Sequence, residues 1–411
     1  MPSLKICMLA PEFLYVWGGV GSYITELVRY LPRDIEIHVV TPFREAIGKD
    51  KVALKRRSYF EHFGENVHIH FISRAADNFF YNAKFQVAVA RYVPKLVKKQ
   101  KVDLIHSHTA HMPDILLQFN DVKTPIVTTI HTTIKGQREG TKSSGVGFRE
   151  LETTEKGTML LYPFLRLIEE IYFTKTRYYI TPSNWMKEKI IRLYPKLRGR
   201  VHVAHNAIDT EFWRRNKDYE NKRDELGVEN IILYVGRLLA LKGVRDIIKA
   251  MPRIIKESQD TLFMFIGPGN RCIYTKMLDK MGLPRHNYVF LGYKSRDELL
   301  KYYNMATVFI LPSYSENMPM TLLEAMSCSL PVIATKVGGI PEVIDHNVDG
   351  ILINPGSIDE LVHSLIYLIQ DKSLRIKLGF YARKKMEERF CWNKIIPKII
   401  EVYERAIMFN R

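Results

Sequence analysis

Cysteine is scarce in this 411-residue sequence. Cys7, Cys272, Cys328 and Cys391 lie far apart with no Cys-x-x-Cys pair, which excludes a disulfide scaffold and a cysteine zinc site and fits a reducing cytosol. No window holds the roughly 18 consecutive apolar residues that a membrane-spanning helix needs. The run from Leu4 to Pro11 is too short for the core of a secretory leader and reads as a first buried strand. A repeat of fixed period, a low-complexity tract, an Asp-x-Asp triad and a His/Cys/Asp cluster with ligand spacing are all missing, so no metal cofactor is expected. The glycines after the first strand also fail the Gly-x-Gly-x-x-Gly spacing of a dinucleotide fingerprint.

What is present is ordinary for a globular chain, with 46% hydrophobic and 26% charged residues. The length points to two domains, since single cores stop growing near about 250–300 residues. Lys and Arg number 61 against 44 Asp and Glu, a net charge of +17. The basic runs at 44–57, 91–101 and 187–200 read most simply as solvated helix faces. The other reading is an anionic partner, either a phosphorylated substrate or an acidic membrane surface. None coincides with a nucleic-acid-binding motif, so nucleic acid is not an expected partner.

Short β-branched apolar runs alternate with segments of helical period, the pattern of parallel sheets covered by helices on both faces. The first half holds strands at 5–9, 36–41, 68–72, 103–106, 126–130, 178–181 and 200–204. The second holds strands at 231–235, 262–266, 288–291, 308–311, 331–334 and 350–353. Between the series, 210–227 is polar and charged. The expected division is a Rossmann-like domain over 1–209 and a second over 210–392. A C-terminal helix at about 393–411, apolar at Ile399, Ile400, Val402, Tyr403 and Ile407, crosses back to the first. One stretch breaks the rhythm: 132–158 is rich in Gly, Ser and Lys without a period, and is expected to be a mobile loop acting as a lid.

In open α/β sheets ligands sit beyond the carboxyl ends of the strands, so residues there are the candidates. After the first strand comes Trp17-Gly18-Gly19-Val20-Gly21, where glycine lets backbone approach a ligand and turns helix-terminal N–H groups toward an anion; a plain tight turn is the alternative. After the strand at 231–235, Arg237 and Lys242 bring two cations to a strand end, suited to a departing diphosphate. The third cluster, 311–326, puts Glu316 in a loop and Glu324 inside a helix that starts near Pro319. The N–H groups of Met320, Thr321 and Leu322 would be free at that helix start. Carboxylates accept hydrogen bonds from sugar hydroxyls, although a bare pair of glutamates is commonplace. His106 and His108 end another strand, as acceptor contacts or, more simply, as packed histidines; His205 reads the same way.

These residues together resemble the retaining glycosyltransferases of family four, of the GT-B fold, in which two glutamates separated by seven residues are a hallmark; Glu316 and Glu324 match it. The glycine loop, the Arg237/Lys242 pair, Gly338-Gly-Ile-Pro-Glu342 and Asn206-Ala-Ile-Asp209 follow in the family's order, and Ala207 departs from a glycine common in that turn. The resemblance implies two Rossmann-like domains facing each other across a cleft, and a nucleotide-diphosphate sugar as donor. Glu324 would hold the ribose, Arg237 and Lys242 the diphosphate, and Glu316 the transferred sugar. Asn317, Met318, Pro319, Met320, Thr321, Leu322 and Leu323 would line the donor. The base would lie near Tyr293 and Lys294. From the first domain, Gly18 and Gly19 would approach the diphosphate and His131 the sugar, with Trp17, His106, His108 and His131 on the acceptor side.

The catalytic set so implied is Arg237, Lys242, Glu316 and His131. It suits transfer of a hexosyl unit, UDP-glucose being the default donor, to a hydroxyl of a sugar, sugar phosphate or lipid-linked acceptor. Same-face substitution without a metal is expected, because Glu316 falls on the hydroxyl side of the sugar instead of serving as a nucleophile. The rivals are a nucleotide-sugar epimerase and a non-catalytic nucleotide-sugar-binding protein of the same fold. The expected location is the cytoplasm, with an anionic inner membrane face as an optional partner.

Overall fold

The computed structural model describes residues 4–14, 18–43, 63–74, 81–109, 112–120, 122–174, 177–220 and 227–410; Trp17 and the basic run at 44–57 lie outside them. All thirteen strands expected from the sequence form, with ends displaced by at most two residues. In the first half they are β1 (Lys5–Leu9), β2 (Glu36–Phe43), β3 (Val67–Arg74), β4 (Leu104–His108), β5 (Ile126–Thr129), β6 (Tyr178–Thr181) and β7 (Val201–Val203). In the second they are β8 (Asn230–Val235), β9 (Thr261–Ile266), β10 (Tyr288–Gly292), β11 (Val308–Leu311), β12 (Val332–Thr335) and β13 (Ile351–Ile353).

The sheets run β3-β2-β1-β4-β5-β6-β7 and β10-β9-β8-β11-β12-β13. Pairing is parallel throughout, Met8 standing opposite Val39 and His106, and Leu233 opposite Met264 and Phe309. In each sheet the chain winds outward from one central strand, then returns beside it and winds the other way. The reversal lies between β1 and β4 in one sheet and between β8 and β11 in the other. At such a switch point the two connections leave on opposite faces and open a crevice at the carboxyl ends.

The chain divides into two compact units: Met1–Thr133, Leu167–Ala207 and Trp392–Arg411 form one, and Ile134–Arg166 with Ile208–Cys391 the other. In the first unit, Phe85, Val89 and Val93 repeat at one-turn spacing along the helix Tyr81–Gln100 and pack on Cys7, Leu9, Val40 and Ile105. Each such side chain contributes about 1.5–3 kcal/mol on burial. The helix Trp392–Asn410 buries Trp392, Ile395, Ile399, Val402 and Tyr403, and Trp392 Nε1 donates to Glu26 Oε2 at 2.7 Å. In the second unit, the helix Val244–Glu257 buries Val244, Ile247, Ile248, Met251 and Ile254.

Two expectations fail at one place. The segment 132–158 is not a structureless lid: it forms the helices Ile134–Ser143 and Thr153–Leu160. It also groups with the second unit, although the sequence assigns it to the first domain. The reason is the spacing of its glycines. Gly136 and Gly140 are four residues apart, both are buried, and a Cβ on Gly140 would stand 2.5 Å from Ser315 Cβ. Glycine here makes a flat helix face for close approach, and Ser315 Oγ donates to the Gly136 carbonyl at 3.3 Å. The helix tolerates two costly residues because packing offsets their low propensity.

Candidate active site

The reversal between β8 and β11 collects the charged candidates of the second unit. After β8 the chain passes Arg237, makes a 3₁₀ turn over Ala240–Lys242 and enters a helix at Val244. After β11 comes the loop of Ser313 and Glu316, and the two loops join where Tyr314 N donates to the Leu241 carbonyl at 2.8 Å. The turn after β12 closes the third side. Gly338 takes φ +56°, and a Cβ there would lie 1.7 Å from the Glu316 carbonyl oxygen, so only glycine fits. Its neighbour Gly339 donates to the Asn317 carbonyl at 2.9 Å.

Within this frame Lys242 Nζ stands 2.5 Å from Glu316 Oε1, which also accepts from Ser313 Oγ at 2.8 Å. The carboxylate side chain is 7% exposed and the ammonium 23%. An ammonium has three donors and this contact uses one of them. Arg237, the other expected cation, is exposed and reaches Thr154 Oγ1 at 3.2 Å, so each cation has its own partner. Tyr234 pins the start of the loop by donating to the Arg237 carbonyl at 2.8 Å, and burial pushes its hydroxyl far above the ordinary tyrosine range, which keeps it a donor.

Glu316 lies in the loop and Glu324 in the helix Met320–Ser327, as expected. Glu324 is buried and accepts from the Tyr303 hydroxyl at 2.8 Å. Burial first, and then the Glu324 charge, hold Tyr303 well above its usual value, so it remains protonated. At the helix start one expectation needs correction. Leu322 N and Leu323 N both donate to the Pro319 carbonyl, at 3.2 and 3.4 Å, so neither amide is free. Met320 and Thr321 are the helix-start amides without a backbone acceptor among the described residues. Asn317, Met318 and Met320 are buried. Tyr293 and Lys294 follow β10, two strands from β8 and hence about 10 Å along the sheet. Burial, with Glu298 nearby, pushes the Tyr293 hydroxyl up to about 12.

The first unit's reversal has a different chemistry. Gly18 and Gly19 are exposed at the start of the helix Gly19–Tyr30, beyond β1. His106 and His108 end β4 and are fully buried, as the packed-histidine reading expects. His106 bonds Tyr403 Oη at 2.7 Å and Thr129 Oγ1 at 2.8 Å. His108 Nδ1 meets His131 Nε2 at 3.1 Å, and Tyr23 lies edge-on to His131 with ring centroids 5.0 Å apart. Burial drives all three histidines down, His106 and His131 to about 3, so they are neutral at physiological pH. Only His131 keeps partial exposure. The Asn206–Asp209 turn needs no glycine: Ala207 is buried without left-handed backbone, and Asp209 accepts from Phe212 N and Arg296, each at 3.0 Å.

Glu155 is a site residue that sequence reasoning missed. Its buried carboxylate accepts from Ala240 N and Leu241 N, both at 3.3 Å, and from Glu152 N at 3.2 Å. It thus holds the turn that ends in Lys242. The only signal in the sequence was the spacing of Glu152 and Glu155, a capping box at the start of the helix Thr153–Leu160.

Residues 17–212 match the domain described as Glycosyltransferase Family 4, and residues 216–385 that described as Glycosyl transferases group 1. An uncharacterized glycosyltransferase of Methanocaldococcus jannaschii, MJ1607, is 32% identical over 234 residues, which take in 56% of this chain and 60% of that one. The N-acetyl-alpha-D-glucosaminyl L-malate synthase of Bacillus anthracis is 25% identical, covering 94% of this chain and 93% of its own. Among solved structures, HepE of Anabaena in complex with UDP and glucose superposes with a TM-score of 0.73 at 19% identity, covering 98% of this chain and all of that one.

Proposed function

This chain belongs to the family 4, group 1 glycosyltransferases, and we propose that it moves a hexosyl unit from a nucleotide-diphosphate sugar, UDP-glucose in type, to a hydroxyl acceptor with retention and without a metal. The observation that carries the reading is the Lys242–Glu316 pair at the β8/β11 reversal. Lys242 and Arg237 neutralise the diphosphate, helped by the Met320 and Thr321 amides. Glu316 accepts from hydroxyls of the transferred sugar, and Glu324, oriented by Tyr303, accepts from the ribose. The base lies toward Tyr293, at a distance that suits a nucleotide's length. That HepE binds UDP supports the choice of donor. The acceptor reading belongs to the first unit, through Gly18, Gly19 and His131.

In the reaction the anomeric carbon–oxygen bond breaks and its electron pair leaves on the diphosphate, where Lys242 and Arg237 stabilise the growing charge. The acceptor oxygen bonds to the same face of the sugar, and its proton passes to the departing phosphate oxygen. The test is NMR of the product's anomeric configuration, run in chelator over a panel of nucleotide sugars and acceptors. The donor's configuration is expected in the product. An inverted product, activity restored only by a divalent ion, or epimerised donor in the absence of acceptor would overturn the proposal.

A further inference from the structure

The second unit contains a cavity of about 590 Å³ at the opposite end of its sheet, where the chain enters β8, β11 and β12. Its walls include Arg215, Lys372 and Arg375, and among the described residues Glu229 is the one carboxylate that lines it, so the described lining carries two net positive charges. Arg375 is held in place: its Nη1 donates to the carbonyls of Leu368 and Ile369, both at 2.6 Å, capping the helix Ile358–Gln370. Lys372 has no carboxylate partner among the described residues. The volume falls within the roughly 300–1,000 Å³ of small-molecule sites. Cations spaced around such a volume suit phosphate oxygens on a compact body.

The cavity also touches the machinery of the candidate site. Tyr303 lines it, and the same side chain donates to Glu324. The helix Met320–Ser327 starts at the candidate site and ends at Cys328 and Ser329 in the cavity wall, where Cys328 N donates to the Glu324 carbonyl at 3.1 Å. We propose that this cavity is a second binding site, for a phosphorylated small molecule of sugar-phosphate size, coupled to the donor site through Tyr303 and the helix that carries Glu324. Coupling between two ligand sites is reciprocal, so a ligand here changes nucleotide affinity by the factor with which nucleotide changes its own.

Calorimetric titration with ribose 5-phosphate, and with inorganic phosphate as the smaller probe, tests the site. Saturable binding of ribose 5-phosphate is expected, at least tenfold weaker in the Arg215→Glu/Lys372→Glu double variant and weakened to a lesser degree in Lys372→Ala. It is expected to be unchanged in Lys242→Ala. Saturation by inorganic phosphate alone would replace the sugar phosphate by free phosphate and overturn the stated ligand class. UDP affinity is expected to shift about fivefold or more when ribose 5-phosphate saturates the protein, and not to shift in Tyr303→Phe. Equal probe binding in the native protein and the double variant, loss of it in Lys242→Ala, or UDP affinity indifferent to the probe would overturn the proposal. The coupling half rests on the donor reading, whereas the probe titration does not. Failure of UDP to bind at all therefore counts against the donor site and leaves the probe result to decide the cavity.

Discussion

The two units share one construction and differ in what stands at the reversal of their sheets. In the first, β1 and β4 lead to exposed glycine and to buried, neutral histidines bonded to one another and to Tyr403 and Thr129. In the second, β8 and β11 lead to an ammonium–carboxylate pair and to glutamates bonded by buried hydroxyls. By sequence the first unit holds ten of the thirteen histidines and the second three. A doubly wound sheet thus fixes where a ligand can sit and leaves its chemistry to the few side chains at the strand ends. The desolvated cluster suits a rigid, uncharged wall, and the charged cluster suits a phosphorylated ligand.

The largest effect expected from breaking this contrast is at Lys242. Lys242→Ala should lower kcat by about 10²–10³, the loss typical of one preorganised group that stabilises charge in the transition state. Steady-state kinetics with circular dichroism as a check on folding measures it, and native turnover would contradict the assignment. A neutral substitution of the partly exposed His131 imidazole should cost far less.

Lowering the pH should separate the units next. His106 binds its proton near pH 3 when folded and near 6.5 when unfolded, so the unfolded chain takes up more protons as pH falls. Its stabilising contribution is complete above about 6.5 and is lost on descent toward 3, at up to about 1.4 kcal/mol per pH unit. His70, pushed down to about 4 by burial, adds in the same direction. The histidines that burial pushes down among the described residues, His38, His70, His106, His108, His131 and His202, all belong to the first unit, so between pH 6.5 and 5 it should weaken while the second holds. Hydrogen exchange by mass spectrometry, corrected for intrinsic rates, should show protection falling in 5–131 and steady in 230–380; an equal fall in both would contradict it.

The smallest effect is at Glu155. Glu155→Ala leaves three backbone N–H groups without their acceptor and should destabilise the second unit by about 1–3 kcal/mol. A thermal melt measures this, and an unchanged midpoint would show that the turn before Lys242 holds itself.

The sheets were legible because parallel strands are buried on both faces and read as continuous apolar runs, such as Ile231 to Val235. The placement of Glu316 in a loop and Glu324 in a helix was legible because Pro319 marks a helix start between them, whereas their pairing as site candidates came from the family resemblance. Three things were hidden. Gly136 and Gly140 look like loop residues in a string, and only the helix turn brings them to one face against Ser315. The role of Glu155 depends on two amides 85 and 86 residues away. The burial of His106 depends on Tyr403, which comes from the far end of the chain.

The central claim is that a nucleotide diphosphate is held by Arg237 and Lys242. Isothermal titration of UDP in the presence of chelator, into the native protein and into Arg237→Ala and Lys242→Ala, tests it most directly. Saturable binding that weakens at least tenfold in each variant is the predicted result. The same affinity in all three proteins, or binding that appears only when a divalent ion is supplied, would contradict it.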